Sequence, residues 1–500
     1  MGKVKGRDEK RVKPDQSLSR DVRSWLDEVK SLGLLKTVEG ADWEEEIGAI
    51  TDTNVKKNKY TLLFDKIKGY PEGFRVLTGS LLDSRRMALT LGLPPTLSDL
   101  DLVKVLKDRL KSAGENIDEY APRYVEDAPL FENTLKDVDM SKFPAPKWFA
   151  GDGGRYIGTA DAVMTRDLET GWVNVGAYRM MLKDKDTLSI LFEAVRHGRF
   201  MVKKYWDAGK PCPVAVSFGH HPLALMFAGI EVPQGVSELA YAGAVSEQPY
   251  EVIKGPVTGL PIPADSEVAI EGYILNETTS EGPLGEFIGY YSMATANQAP
   301  TVKVEAVYHR NDPILLGTCA GRPPHDYSYF RCPVRAALIW DILEKAGVQG
   351  VQGVWCHEAG YSRAFTVVSI KQMFAGHDRM AGYIACQSRP GAVAGRYVVV
   401  VDEDIDPSNL DDVIWAMCSR SDPATGIDII SETIGTPVDP LAEHDPSRDM
   451  LEYTGSRGII FATKPFGRLL RNEFPKVVEP SPEVKEKVTR EWSEIFSKED

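Results

Sequence analysis

Cysteine and long apolar runs are both scarce in this sequence. Six cysteines are scattered over 500 residues, and no two of them form a CxxC pair. We therefore predict neither a disulfide framework nor a zinc–thiolate site, and we expect buried free thiols instead. No stretch reaches the roughly 20 apolar residues of a membrane helix, and the charged residues 1–16 lack the apolar core of a secretory signal. These absences predict a cytoplasmic protein with no membrane partner.

Positive charge is also in deficit. The chain has 73 acidic residues against 59 lysines and arginines. A nucleic-acid partner requires cations that neutralise phosphates, so we predict no such partner. The composition, 43% hydrophobic and 26% charged, is that of an ordinary globular protein, and the length is sufficient for roughly two to four domains.

Several common catalytic motifs are absent or incomplete. The glycine-rich segment 151–158 lacks both the Gly-Lys-Ser/Thr of a P-loop and the GxGxxG of a dinucleotide fold. A tight turn between strands is its simpler interpretation. His357 and Glu358 begin like a zinc-peptidase motif, but the second histidine is missing, and no GxSxG occurs. The sequence therefore argues against a zinc peptidase and against a serine hydrolase of the GxSxG type.

The sequence pattern changes along the chain. Roughly the first 120 residues mix helical and strand-like segments, as in an α/β unit. From about 150 to 310, short runs with alternating apolar residues predict a barrel or curved sheet, interrupted by a helix over 188–209. Beyond 330, helices alternate with apolar strands such as 398–401, which predicts a parallel sheet covered on both faces. The last 20 residues predict a helix whose apolar face needs a partner.

Three dispersed side chains offer ligands for a metal ion. Asn174, His197 and Glu238 carry an amide oxygen, an imidazole nitrogen and a carboxylate. This set suits Mn²⁺ or Mg²⁺ better than Zn²⁺ and leaves coordination positions for water or a phosphate oxygen. Their wide spacing does not show that they meet, and a histidine on a helix is more often a core or surface residue than a ligand. On the residues alone both interpretations stay open.

Two carboxylates lie five residues apart in the segment 281–286. Gly282, Pro283 and Gly285 favour a turn that would bring Glu281 and Glu286 to one pocket. A carboxylate beside a second one and out of water can hold a proton near neutral pH, which is what proton transfer requires. The alternative is a solvated turn with two exposed acids.

Six segments, taken in order, resemble one family. They are DGGRYIGTADAV, WVNVGAYRM, RHGR, GVSELAYAGA, EGPLGEFIGYY and DEDIDPSNLDDVIWAMCSR. Together they are similar to the UbiD family of prenylated-flavin-dependent decarboxylases, which includes the fungal ferulic acid decarboxylases. The resemblance runs from about residue 62 to the terminal helix.

The resemblance implies a mixed α/β (α+β) fold in four parts. Residues 1–125 would form an N-terminal α/β segment, and 126–320 a split β-barrel that binds the flavin. Residues 330–455 would form an α/β domain that mediates oligomerisation, at least as a homodimer. Residues 456–500 would form a helical tail.

The resemblance also implies roles for particular residues. Arg179, Glu281 and Glu286 would form the catalytic network. Asn174, His197 and Glu238 would bind Mn²⁺ or Mg²⁺ that anchors the flavin phosphate, with K⁺ close by. The residues expected to bind prenylated FMN are Asn174, Val175, Gly176, Ala177, Tyr178, Arg179, Arg196, His197, Gly229, Ile230, Glu238, Arg389 and Arg420.

The implied activity is the reversible, non-oxidative decarboxylation of an aromatic, heteroaromatic or α,β-unsaturated acid. The cofactor, supplied by a flavin prenyltransferase, would bond covalently to the substrate, and Glu286 would return a proton to the carbon that loses CO₂. An FMN-dependent oxidoreductase on a split barrel is the alternative, and a metal-binding protein without activity is another. Retention of the paired glutamates disfavours both.

Some positions depart from the ferulic acid decarboxylases. Arg196 replaces a glutamine, Val175 replaces a tryptophan, and the segment 389–396 lacks the lysine of the flavin loop, for which Arg389 or Arg396 would substitute. These departures argue against cinnamate-type substrates.

Two polar residues lie in a segment that lines the substrate pocket in the family. His325 and Arg331 are predicted to recognise a ring heteroatom, a hydroxyl or a second carboxylate. The alternative is an interdomain loop whose polar groups are satisfied within the protein.

Overall fold

The computed structural model describes residues 21–192, 196–230, 232, 235–292, 297–443 and 452–496. The charged segment 1–16 lies outside these residues. Within them, no helix is both long and apolar enough to cross a bilayer. The strands are β1 (Leu35–Glu39), β2 (Thr61–Asp65), β3 (Arg75–Thr78), β4 (Arg123–Val125), β5 (Asn133–Thr134), β6 (Tyr156–Gly158), β7 (Ala162–Arg166), β8 (Val173–Gly176), β9 (Met180–Leu182), β10 (Thr187–Ile190), β11 (Cys212–Gly219), β12 (Glu251–Lys254), β13 (Pro261–Pro263), β14 (Val268–Glu281), β15 (Asn297–His309), β16 (Ile314–Leu316), β17 (Val351–Cys356), β18 (Phe365–Ile370), β19 (Tyr397–Asp402), β20 (Ile427–Ile434) and β21 (Thr454–Ala462).

Helices cover the sheets and connect them. The α-helices are α1 (Val22–Ser31), α2 (Glu46–Lys57), α3 (Ser84–Thr90), α4 (Asp99–Glu115), α5 (His197–Asp207), α6 (Pro222–Ala228), α7 (Glu238–Val245), α8 (Arg331–Lys345), α9 (His377–Gln387), α10 (Arg389–Ala392), α11 (Leu410–Arg420), α12 (Phe466–Leu470), α13 (Pro482–Glu491) and α14 (Ser493–Phe496).

The N-terminal sheet has four strands in the order β1-β2-β3-β16. The β1/β2 and β3/β16 pairs are parallel, and β2/β3 is antiparallel. Its fourth strand, Ile314–Leu316, comes from the range 126–320 that we assigned to the flavin domain. The chain therefore returns to the N-terminal sheet after completing the central one.

The central sheet carries the strands predicted between 150 and 310. Its order is β6-β9-β10-β15-β14-β11-β7-β8, and β5 pairs with β15. The long hairpin of β14 and β15 forms its centre. Among the described residues the end strands β6 and β8 do not pair with each other. The sheet is therefore a curled half-barrel.

The helix predicted over 188–209 is wrong in its first part. Thr187–Ile190 forms β10, which pairs with β9 and β15, and the helix begins only at His197. Leu188 and Ile190 are fully buried in the core of the half-barrel. Ladder hydrogen bonds on both sides outweighed the apolar spacing that suggested a helix.

The C-terminal sheet has the order β17-β18-β19-β21-β20. The three middle strands are parallel, as predicted, and β19 is buried from Val398 to Val401. The prediction is wrong for the outer strands, because β17 and β20 are antiparallel to their neighbours. β17 is joined directly to β18 by the connection 357–364, and such a direct connection permits an antiparallel edge.

The terminal helix begins where the sequence predicts, but α13 ends at Glu491 and the short helix α14 follows it. Ser481 is the N-cap of α13, and its side chain accepts a hydrogen bond from the Val484 N–H at 3.4 Å. Val484, Trp492 and Ile495 are exposed. The apolar face is therefore without a partner in the described part of this chain.

The cysteines are free. Five of them are buried, as expected, but Cys418 is exposed on α11. Burial raises the pKa of the Cys212 thiol to about 12, so this buried thiol is unreactive near neutral pH.

Candidate active site

Glu281 and Glu286, the two predicted acids, both accept hydrogen bonds from Arg179. Glu281 ends β14, and Arg179 lies between β8 and β9. Arg179 Nε and Nη2 donate to the two oxygens of Glu281 at 2.8 and 2.9 Å, and Nη1 donates to Glu286 Oε1 at 2.8 Å. Gly282 has φ +86°, a conformation that glycine adopts without strain and that turns the chain sharply after the strand. The turn thus brings both carboxylates to one guanidinium.

This cluster is withdrawn from water. Glu281 is fully buried and Glu286 is 8% exposed. The Tyr156 hydroxyl donates to Glu281 Oε1 at 2.8 Å, and burial together with the charge of Glu281 raises the pKa of Tyr156. Burial alone lowers the pKa of Arg179, but the charges of Glu286 and Glu281 outweigh it and raise that pKa above its ordinary value. Arg179 is therefore a permanent cation shared by two acids, and the solvated turn is excluded.

The glycine-rich segment 151–158 supports the carboxylate turn. The Gly153 N–H donates to Pro283 O at 2.7 Å, and a Cβ on Gly153 would lie 1.9 Å from Gly282 O. Asp152 accepts hydrogen bonds from the Tyr291 hydroxyl at 3.0 Å and the Gly285 N–H at 3.4 Å. Residues 151–155 form the predicted turn, β6 follows from Tyr156, and the turn packs against the acids. Sequence reasoning missed Asp152, whose only signal was an acid inside a glycine-rich turn.

The three candidate metal ligands converge. Asn174 on β8, His197 at the start of α5 and Glu238 at the start of α7 line one cavity of about 20 Å³. One water-sized sphere occupies about 10–15 Å³, so the cavity has room for an ion. Two oxygen donors and one nitrogen donor suit Mn²⁺ or Mg²⁺. The residues thus fit the cation that we expected.

The electrostatics of this small cavity also favour a cation. Glu238 is 3% exposed, accepts from the Val175 N–H at 2.6 Å, and burial raises its pKa to about 8. Burial and the charges of Arg389 and Arg196 lower the pKa of His197. The imidazole is therefore neutral at neutral pH and has a lone pair available for coordination. A bound cation would hold Glu238 ionised.

Most predicted flavin residues line two adjoining cavities. The small cavity is lined by Val175, Gly176, Tyr178, Arg196, Ile230 and Arg389, besides the three ligands. The large cavity is lined by Ala177, Tyr178, Arg179 and Arg196. Gly229 packs against Tyr327, whose hydroxyl would lie 2.7 Å from a Cβ on this glycine. Arg389 is the arginine of segment 389–396 that reaches the site, because Arg396 pairs with Asp439.

Arg420 does not line either of these cavities. Its guanidinium donates to Asp404 at 2.8 and 2.9 Å and to Asp402 at 3.1 Å. It also lies 5.0 Å from the Trp415 ring centroid. The two aspartates hold this side chain at the end of β19, so its predicted contact with the flavin site is not seen in this chain.

The large cavity, of about 200 Å³, lies between the central and C-terminal sheets. Phe192, Leu284 and Phe287 contribute apolar walls from the central part, and 434–438 contributes one from the C-terminal part. It shares Tyr178 and Arg196 with the small cavity. A ligand with an anionic end and a flat apolar body therefore has a continuous site.

The two predicted substrate-pocket residues differ in their placement. Arg331 lines the large cavity, and its guanidinium lies 3.9 Å from the Tyr327 ring centroid. His325 is 2% exposed and does not line the cavity, because Nε2 bonds Phe287 O at 3.0 Å and Nδ1 accepts from the Tyr327 N–H at 3.2 Å. Both ring nitrogens of His325 are thus satisfied within the protein, as in the alternative that the sequence left open. His325 instead fixes two residues that form the wall.

Family comparison covers nearly the whole chain. Three models match: the 3-octaprenyl-4-hydroxybenzoate carboxy-lyase N-terminal domain over 26–106, the Rift-related domain over 123–323 and the C-terminal domain over 328–462. Pyrrole-2-carboxylic acid decarboxylase of Pseudomonas aeruginosa is 33% identical over 420 residues, which cover 81% of this chain and 83% of that protein.

Solved structures show the same fold. The UbiD-class enzyme HmfF from Pelotomaculum thermopropionicum, in complex with FMN, superposes with a TM-score of 0.80 at 29% identity, over 92% of this chain and 98% of its own. An evolved dimeric form of HmfF was solved with prFMN and superposes with a TM-score of 0.77 at 28% identity, over 92% and 97%. Vanillic acid decarboxylase of Sedimentibacter hydroxybenzoicus has a TM-score of 0.81 at 27% identity, over 96% and 99%. Together with the model matches, these likenesses show that the chain belongs to the UbiD family and is a flavin-binding carboxy-lyase.

Proposed function

We propose that the protein catalyses reversible, non-oxidative decarboxylation of an aromatic, heteroaromatic or α,β-unsaturated carboxylic acid with prenylated FMN. The observation that carries the proposal is the bridge from Arg179 to both Glu281 and Glu286 at the wall of the large cavity. The relatives that decarboxylate pyrrole-2-carboxylic and vanillic acids support the substrate class.

The chemistry needs a group that no side chain provides. Loss of CO₂ from an sp² carbon leaves an electron pair that side chains cannot delocalise, and the prenylated flavin supplies that capacity when bound. The protein's part is to hold the acid, exclude water and deliver a proton to the carbon that lost CO₂.

The geometry favours Glu286 as the proton donor. Glu286 lines the large cavity, whereas Glu281 does not. Glu281 receives two hydrogen bonds from Arg179 and one from Tyr156, so it is a fixed counter-charge. Arg179 then orients Glu286 and compensates for its charge when the proton has left.

We assign the cofactor's anionic end to the small cavity. Asn174, His197 and Glu238 would hold Mn²⁺ or Mg²⁺ there, and Arg196 and Arg389 would contact the flavin phosphate. K⁺ close to this ion, and a flavin prenyltransferase as the source of the cofactor, belong to the same proposal.

The test is a single substitution in the loaded enzyme. The protein is produced together with a flavin prenyltransferase, and candidate acids are assayed for CO₂ release and for exchange of the product's proton with deuterium. Glu286→Gln is expected to keep the flavin and lose both activities, because the amide cannot donate the proton. Glu277→Gln, on the exposed part of β14, serves as the matched control with both activities intact.

Unimpaired exchange in Glu286→Gln would remove the proposed donor. The mass of the bound flavin separates the proposal from an FMN oxidoreductase, because prenylation makes the cofactor heavier. Plain FMN that supports turnover would contradict the proposed cofactor.

A further inference from the structure

Two short connections cross the open side of the half-barrel, where the end strands β6 and β8 do not pair among the described residues. The connection 159–161 leads from β6, at one end of the sheet, to β7, which lies next to the other end. The connection 177–179 runs the opposite way, from β8 to β9 beside β6. Both connections therefore span the gap between the two ends of the sheet.

The connection between β8 and β9 carries residues of the candidate active site. Ala177, Tyr178 and Arg179 all line the large cavity, and Tyr178 lines the small one as well. The Arg179 guanidinium bridges Glu281 and Glu286. The course of this connection therefore determines the point from which the guanidinium reaches both acids.

Each residue of this connection is held by a different part of the chain. The Ala177 N–H donates to a main-chain oxygen at the end of α6 at 3.1 Å, and Arg179 O accepts from the N–H directly after β10 at 3.2 Å. The Tyr178 N–H donates instead to a side chain, Asp161 Oδ1, at 3.1 Å. Of these three anchors only Asp161 is a side chain, so a substitution can remove it and leave the other two in place.

The strand register shows why a side chain serves as the acceptor there. The ladder between β7 and β8 ends with Val163 opposite Gly176. Continuing this register places Asp161 opposite Tyr178, beyond the last ladder pair. The carboxyl group thus satisfies a buried main-chain N–H at a point where the ladder of main-chain bonds has ended.

The Asp161 carboxyl is enclosed by the protein. Asp161 is 1% exposed, and its Oδ2 has no hydrogen-bond partner among the described residues. A Cβ on Gly158, at the end of β6, would lie 2.3 Å from that Oδ2, so this glycine leaves room for the carboxyl. Burial raises the pKa of Asp161, which agrees with an uncharged acceptor. An apolar residue would cost less to bury, so the bond to Tyr178 is what distinguishes the aspartate.

We propose that Asp161 is a positioning residue, which fixes the Tyr178 main chain across the open side of the half-barrel and thereby holds Arg179 where it bridges the two acids. The consequence for the reaction rests on the proposed function, in which Arg179 orients the proton donor. Asp161 lines neither of the two cavities. It therefore acts through the connection 177–179 and not by touching substrate or flavin.

The first test measures the anchor itself, in protein without cofactor or substrate. Amide hydrogen exchange followed by mass spectrometry reports on the peptide that contains 177–179. We expect Asp161→Ala to raise the exchange rate of this peptide about tenfold, because the Tyr178 N–H loses its acceptor. Asp161→Asn should exchange like wild type, since its amide oxygen can still accept that bond.

The second test is kinetic and uses enzyme loaded with prenylated flavin, with pyrrole-2-carboxylate or vanillate as substrate, whichever the wild type converts faster. Asp161→Ala should lower kcat about tenfold or more and change KM less than about twofold, because the cation moves while the cavity walls remain. Flavin content should be unchanged, and Asp161→Asn should keep kcat within about threefold of wild type. Asp161→Val also lacks an acceptor but fills more of the space, so it replaces Asp161→Ala if that variant does not fold.

Asp167 provides the matched control at the other end of β7. It is 6% exposed and likewise accepts main-chain bonds, from the Glu169 and Thr170 N–H groups at 3.1 and 2.9 Å. It lines neither cavity. Asp167→Ala should therefore lower the melting temperature, while kcat and the exchange of the peptide 177–179 stay those of wild type.

Two results would overturn the inference. Exchange of the peptide 177–179 at the wild-type rate in Asp161→Ala would show that this bond does not hold the connection. An equal fall of kcat in Asp161→Ala and Asp161→Asn, or the same fall in Asp167→Ala, would show an effect of charge or of general destabilisation instead. If the wild type releases no CO₂, the proposed function fails, and the exchange rates alone decide whether Asp161 anchors Tyr178.

Discussion

The role available to each residue at this site depends on the hydrogen bonds and ion pairs that its side chain already makes. Arg179 is shared by two acids, the imidazole nitrogens of His325 are both taken by backbone groups, and Arg420 is held by Asp402 and Asp404. Arg331 lines the large cavity, and no carboxylate pairs with it among the described residues. Residue type predicted all four as functional, but the surrounding contacts separate them.

Asp326 is a buried acid that should make the stability of the fold depend on pH. It is 3% exposed, its Oδ1 accepts from the Cys319 N–H at 2.7 Å, and burial raises its pKa to about 7. Since the folded pKa exceeds the unfolded value of about 4, the stabilisation is complete below pH 4 and is lost as pH rises to about 7. The change is on the order of a few kcal/mol.

We expect Asp326→Asn to flatten the fall in melting temperature between pH 5 and pH 8. Asn cannot ionise, yet its side-chain oxygen still accepts the Cys319 N–H. Thermal melts across this pH range give the measurement, and Asp108→Asn, at an exposed position, should leave the slope unchanged. The same slope in Asp326→Asn and wild type would count against a titrating Asp326.

Elements act on the site through the turns that join them. The carboxylate turn after β14 and the glycine-rich turn before β6 are in backbone contact, since Gly153 donates to Pro283 O. Asp152 adds bonds to Gly285 and Tyr291. Two loops from distant parts of the sequence therefore fix Glu281 and Glu286 together.

Gly153→Ala tests this contact. A Cβ there would meet Gly282 O at 1.9 Å, so the carboxylate turn has to move. A displacement near 1 Å at a reacting group can cost on the order of a hundredfold in rate, and we expect kcat to fall at least tenfold with flavin content retained. Gly114→Ala, on α4 with nothing within 4 Å of the new Cβ, is the control. Normal kcat in Gly153→Ala would show that the turn tolerates displacement.

The C-terminal sheet has an apolar edge that none of the described residues covers. β20 is the outer strand of the C-terminal sheet, and Ile427, Ile429 and Ile434 on it are exposed. Tyr397 on β19 and the apolar residues of α13 and α14 are exposed as well. An unpaired strand edge with an apolar surface favours association, and we propose a homodimer through this end of the molecule.

Ile429→Glu is expected to shift the protein from dimer to monomer. A charge at a side chain that is 75% exposed in one chain costs little in the monomer, but it would be buried in the proposed dimer. Light scattering after size-exclusion chromatography measures the mass. Tyr124→Glu is the control: Tyr124 is exposed on β4, which is not part of the C-terminal sheet, so this variant should remain a dimer. A wild-type protein that elutes as a monomer would exclude this interface.

Local sequence determined the half-barrel strands, the terminal helix with its Ser481 cap, and the set of residues that lead to the UbiD family. Alternation, capping and motif order are encoded by neighbours along the chain, so they can be read without coordinates. The sequence did not predict the strand Thr187–Ile190, because this strand depends on pairing with β9 and β15.

Only the tertiary structure decided which carboxylate faces the cavity, which cavity arginine has no carboxylate paired with it among the described residues, and which histidine bonds only backbone groups. Arg179 and Glu281 are 102 residues apart, and Arg179 and Glu286 are 107 apart. At such separations the packing of sheets, rather than local pattern, sets the distances. The hydrogen-bond partner of each buried polar atom comes from residues that are distant in the sequence, so local pattern does not predict it.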